Sequence, residues 1–210
     1  MTFEGPPRNS RRSSTACAAT GSAQVDIVGH SQGGTMARQF LKFEGGSSAV
    51  GELVTIAATN HGTTMDGLGA LAAGSSSGSA GSSSGSAGSS SGSAGSSGSA
   101  GAPAAWVVGL AAVQQLNGSD FITRLNADGD TMPGIDHTVV ATRVDKTSTP
   151  PEATFLEQGP GSIVKNLWVQ DICANDTFEH GKLPQSPAVA YIVEQAHDPS
   201  YPGPGPACTR

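Results

Sequence analysis

The sequence predicts an α/β fold in which a mostly parallel sheet is flanked by helices. Three observations carry that expectation. Short apolar, β-branched runs alternate along the chain with stretches of helical periodicity. One such run, at residues 25–28, leads through Gly29-His30-Ser31-Gln32-Gly33 straight into a helical pattern over residues 35–43, closed by Gly45 and Gly46. No apolar stretch reaches the length of a membrane span, so no transmembrane segment is expected.

Before the first strand, residues 1–14 read as a disordered terminus, and residues 15–21 as the last turns of a helix. Residues 1–12 are polar and Arg-rich with no apolar core, so no signal peptide is visible. A second buried strand follows at residues 51–58, with residues 59–64 as its exit loop. Residues 74–101 are a Gly/Ser/Ala repeat in which no apolar side chain exceeds Ala. It has nothing to bury, and a flexible insertion is expected. Residues 104–116 form an apolar helical stretch suited to covering a pocket, and Gly118-Ser119-Asp120 caps a second helix over residues 121–127. Further strands are expected at residues 138–144, with Asp145 at the end, and at residues 163–170. A terminal helix with Pro187 in its first turn precedes a Pro/Gly tail at residues 199–210. The domain proper is therefore residues 15–198.

The net charge of -6, from 11 basic and 17 acidic side chains, argues against a nucleic-acid surface and leaves a neutral small molecule or a lipid as the expected partner. Of the three cysteines, Cys173 and Cys208 are the expected disulfide pair because both lie in the C-terminal region, which leaves Cys17 unpaired.

The Gly-x-Ser-x-Gly spacing alone is a poor guide, since Ser76, Ser83 and Ser90 in the repeat satisfy it too. Only Ser31 has a strand before it and a helix after it. In that context the turn holds the Ser in a strained conformation, Gly29 and Gly33 keep side chains out of the strand–helix approach, and the hydroxyl stands over a helix N-terminus. The backbone N–H of Gln32 is then positioned to bind an oxyanion. A Ser hydroxyl needs a base, and the base needs a carboxylate to fix its tautomer. Among five His, His180 follows the fourth strand and has the best chain position; His61, after the second strand, is the runner-up. His30 is expected in packing or a backbone hydrogen bond, His137 at the wrong end of the sheet, and His197 on the surface. Asp145 is the expected acid, with Asp171 as runner-up and Asp176 third.

These motifs, together with Asn60-His61-Gly62-Thr63-Thr64, Gly129-Asp130-Thr131 and Val169-Gln170-Asp171-Ile172-Cys173, resemble the secreted triacylglycerol lipases and esterases of actinobacteria, the class 2 lipases of the α/β-hydrolase fold. The resemblance implies Ser31 as nucleophile, Asp145 as acid and His180 as base. It also implies hydrolysis of acylglycerols or other lipophilic esters without a metal or other cofactor, and secretion. The family's fold begins with further strands and a His-Gly segment that supplies a second oxyanion donor, and nothing before Ser14 resembles them. An N-terminally truncated fold is therefore expected, with its first strand as an open edge through which chains could self-associate. The repeat falls where the family carries part of its cap. The competing expectation is an inactive hydrolase fragment or lipid-binding remnant with an incomplete oxyanion site.

Overall fold

The computed structural model describes residues 21, 23–65, 110–201 and 208. The expected N-terminal disorder, nearly all of the helical turns expected at residues 15–21, the repeat, residues 104–109 of the helix expected at residues 104–116 and most of the C-terminal tail lie outside the described residues. Among those described, four strands form one parallel sheet in the order β1 (Val25–His30), β2 (Val50–Ile56), β3 (Asp136–Ala141) and β4 (Val164–Trp168). The helices are α1 (Gln32–Phe43), α2 (Leu110–Gln114), α3 (Asp120–Asn126), α4 (Val169–Ile172) and α5 (Pro187–His197). This is a sheet of the α/β-hydrolase type with flanking helices. No helix among the described residues is long and apolar enough to cross a membrane.

Both faces of the sheet are covered, which is why its strands read as apolar runs with little alternation. Leu53 and Ile56 of β2 lie three residues apart and so point to opposite faces. Leu53 packs with Ala37, Phe40 and Leu41 of α1, and Ile56 packs with Ala188, Val189 and Ile192 of α5. β1 is an edge strand among the described residues, and its Val28 is 46% exposed.

Helix starts follow local chemistry. Ser119 accepts from the Ile122 N–H at the start of α3, and Ser186 accepts from the Ala188 and Val189 N–H groups at the start of α5, where Pro187 occupies the first turn. Cys173 and Cys208 are joined in a disulfide, pinning the tail to the end of α4. Closing a loop of 35 residues restricts the unfolded chain by about 4 kcal/mol on a chain-entropy estimate.

Several expected boundaries shift. β3 ends at Ala141, because the chain turns there with the Asp145 N–H bonded to the Thr142 carbonyl. β4 ends at Trp168, and Asp171 lies in α4 because the Cys173 N–H closes a turn onto the Val169 carbonyl. His137 is inside β3, where it is 2% exposed with neither ring nitrogen hydrogen-bonded among the described residues. Burial holds its imidazole neutral, with a pKa lowered to about 4.

The elbow glycines also differ from expectation. A Cβ on Gly29 would meet the Gly34 Cα at 2.7 Å, and one on Gly34 would meet the Ala58 Cβ at 2.7 Å. A Cβ on Gly33 would meet nothing within 4 Å. The close strand–helix contact therefore belongs to Gly29 and Gly34, and Gly33 is not needed for it. The motif spacing misassigned the role because α1 begins at Gln32, which turns position 33 away from the sheet. Gly33→Ala should leave the unfolding midpoint unchanged or raise stability by up to about 1 kcal/mol. Gly29→Ala and Gly34→Ala should each cost more than about 2 kcal/mol in urea unfolding, because backbone and packed side chains must move.

Candidate active site

Ser31 ends β1 and caps α1 with φ 53° and ψ -128°. This left-handed conformation is costly for a residue with a Cβ, on the order of 1–3 kcal/mol. It is held by the Ser31 N–H on the Ile56 carbonyl (2.8 Å) and by the Gly34 N–H on the Ser31 carbonyl (3.0 Å). A Ser in this position commonly accepts a bond from the first turn of its helix. Here the side chain makes no capping bond, and its hydroxyl lies 2.8 Å from His180 Nε2.

The other His180 nitrogen, Nδ1, lies 2.9 Å from Asp145 Oδ2. A carboxylate only accepts, so Nδ1 carries the proton. In the neutral ring Nε2 is then left as the acceptor for the Ser31 hydroxyl. Asp145 is fixed in turn by its Oδ1, which accepts from the backbone N–H groups of Thr147 (2.8 Å) and Ser148 (2.9 Å). Asp145 is 6% exposed and His180 9%. All three residues follow the carboxyl ends of their strands, β1, β3 and β4 in turn, as the sheet geometry requires. The Gln32 N–H is the first of α1, where no carbonyl within the helix can receive it.

Neither runner-up reaches the serine. Asp171 is exposed and pairs with Arg143 at 2.7 Å. His61 donates from Nδ1 to the Ala153 carbonyl (3.0 Å) and from Nε2 to both oxygens of Asp130 (3.1 Å each). Both partners are acceptors, so the arrangement favours the doubly protonated ring, which has no lone pair to serve as a base. The Asp130 hydrogen bond raises its pKa. Asp176, third among the acids, accepts from the Phe178 N–H and the Ser186 hydroxyl and anchors the loop ahead of His180. His197 lies on the surface beside Asp26 at 3.2 Å.

Two further features shape the site: Arg38, which the sequence reading does not single out, and His30, whose expected backbone hydrogen bond is present. Arg38, 1% exposed, donates to the Asp130 and Asn60 carbonyls and to Asn126 Oδ1. Burial pushes the Asp130 carboxyl upward, but bonds from His61 and the Glu157 N–H, with the Arg38 charge, hold it below its usual value. The available signal was an Arg on the apolar stripe of α1 between Ala37 and Leu41, since a buried guanidinium must find acceptors. The second feature is His30, whose Nε2–H donates to the His180 carbonyl at 2.9 Å, with ring centroids 5.0 Å apart. Burial is the main influence on its pKa, which is lowered.

Among the described residues no three His, Cys, Asp or Glu side chains are placed to hold a metal ion.

The His61 imidazolium makes a pH prediction. Below the unfolded value of about 6.5 both states are protonated and its stabilisation is complete; as pH rises through the raised folded value it is lost. His61→Ala should therefore destabilise by roughly 1 kcal/mol at pH 6, with the deficit shrinking toward pH 9 in urea titrations.

Comparison with known proteins bears on the family and the fold. The sequence matches the family described as Lipase (class 2) over residues 14–155, a span that contains Ser31 and Asp145 and stops short of His180. The fold is similar to the crystal structure of Aspergillus fumigatus lipase B, with TM-score 0.58 and 20% identity, covering 93% of this chain and 40% of that one. It is also similar to a Listeria innocua protein, the product of gene lin2722, with TM-score 0.49 and 12% identity over 94% of this chain and 66% of that one. No curated protein matches the sequence. The chain thus spans 40% of the length of the fungal structure, and with more than half of its residues matched it belongs to the class 2 lipase family.

Proposed function

We propose that the protein hydrolyses carboxylic esters, acylglycerols or other lipophilic esters among them, through an acyl-enzyme on Ser31. The observation that carries this reading is the continuous relay from Ser31 Oγ to His180 Nε2 and from His180 Nδ1 to Asp145, at 2.8 and 2.9 Å. His180 takes the hydroxyl proton as Ser31 Oγ attacks the ester carbonyl. The tetrahedral oxyanion faces the Gln32 N–H. Collapse breaks the bond to the alcohol oxygen, which leaves with the proton from His180. Water then attacks the acyl-enzyme, gives its proton to His180, and the carboxylic acid departs as Ser31 recovers its hydrogen. The buried Asp145 carboxylate stabilises the imidazolium at each stage.

One backbone donor contributes part of the oxyanion site, since removal of a single donor in such sites costs about a hundred- to a thousandfold. We further propose that the protein works in an oxidising compartment, as the Cys173–Cys208 disulfide favours.

Hydrolysis of p-nitrophenyl butyrate is the test. Ser31→Ala and His180→Ala should lower kcat by about a thousandfold or more, while His61→Gln and Asp171→Asn should keep it within about threefold. Wild-type activity no greater than that of Ser31→Ala would contradict the reading and favour the inactive lipid-binding remnant.

A further inference from the structure

His180 begins its turn after β4, while Ser31 ends β1, and the sheet order puts three strand spacings between them. That is roughly 14 Å for the loop to cross. A base carried on such a crossing needs a tie at its far end, because a displacement of about 1 Å already costs on the order of a hundredfold in rate. The loop's other ties include His180 Nδ1 on Asp145 and the buried Leu183 among Val140 and Ala188, neither of which reaches β1. Asp176 is held by Ser186, and Glu179 meets Lys146 at 2.9 Å on the surface, where an ion pair constrains little.

The tie at the nucleophile is His30. It pairs with Ile56 in the sheet, so its backbone belongs to the rigid part of the elbow. Its Nε2–H is bonded to the backbone carbonyl of His180 itself at 2.9 Å, and its ring lies against the His180 ring at 46°. A carbonyl only accepts, so the bond fixes the His30 proton on Nε2. We propose that His30 is a positioning residue for the ester-hydrolase chemistry, holding the His180 backbone so that its ring meets the hydroxyl of the next residue in the chain, Ser31. One side chain thereby ties the backbone of the base to the residue beside the nucleophile, although the two arrive from opposite edges of the sheet. His30 touches neither the ester nor the reacting oxygen, and its effect passes through His180.

The inference rests on the proposed hydrolysis for its kinetic arm and is independent of it for the other. His30→Phe keeps a ring without a donor, His30→Asn carries an amide too short to reach, and His30→Gln can place an N–H near the native one. With p-nitrophenyl butyrate, His30→Phe and His30→Asn should lose about tenfold or more in kcat with KM within about twofold, and His30→Gln should stay within about threefold of wild type. Equal losses in all three variants, or His30→Phe within twofold of wild type, would overturn the proposal. If the wild type hydrolyses nothing, the hydrolase reading fails while the positioning claim is still decided by proton NMR. The downfield Nδ1–H resonance of His180 on Asp145 should be sharp in wild type and His30→Gln, and broadened by faster solvent exchange in His30→Phe and His30→Asn. An unchanged resonance in those two variants would refute it.

Discussion

Ser31 occupies a backbone conformation that an L-residue resists, and the molecule around it is arranged to keep it there. The N–H of Ser31 is held by β2, and its carbonyl is held by the first turn of α1. Gly29 and Gly34 allow strand and helix to approach within a distance that any Cβ would block. The consequence is chemical: the serine starts its helix without spending its hydroxyl on capping, which leaves Oγ for His180. The sheet supplies rigidity beneath, with α1 and α5 covering opposite faces.

The molecule contains two His–Asp pairs, and hydrogen bonding gives them different properties. His180 has one acceptor, Asp145, and offers its other nitrogen to a hydroxyl. His61 has acceptors on both sides, an arrangement that favours its cationic form. It completes a buried charge cluster with Arg38 and Asp130 that joins the loop after β2 to the turn before β3. The first arrangement can shuttle a proton, whereas the second fastens loops. Chain position alone could not separate them, because both histidines follow strands at the correct face.

The strands, the elbow, the capped helices and the order Ser31, Asp145, His180 were legible because each rests on local pattern: β-branched runs, Gly and Ser punctuation, and parallel-sheet logic. Gly33 was misjudged since the spacing of a motif does not say where a helix begins. The sequence pattern puts Asp145 at a strand end, whereas in the structure a tight turn from Thr142 separates it from β3 and the N–H groups of Thr147 and Ser148 hold its carboxylate. The Arg38–Asp130–His61 cluster and the His30–His180 bond join residues 92, 69 and 150 positions apart. Sequence pattern carries no signal for contacts of that range beyond the demand that a buried charge be paired.

An activated serine is a chemical state, and a fluorophosphonate reports it without assuming any substrate. Reaction of the full chain followed by peptide mass spectrometry should find one adduct, on Ser31, formed far more slowly in His180→Ala. The repeat serves as an internal control, because Ser76, Ser83 and Ser90 share the same Gly-x-Ser-x-Gly spacing and should stay unmodified. Adducts spread over the repeat serines, or a Ser31 that remains unlabelled while His180 is intact, would contradict the account.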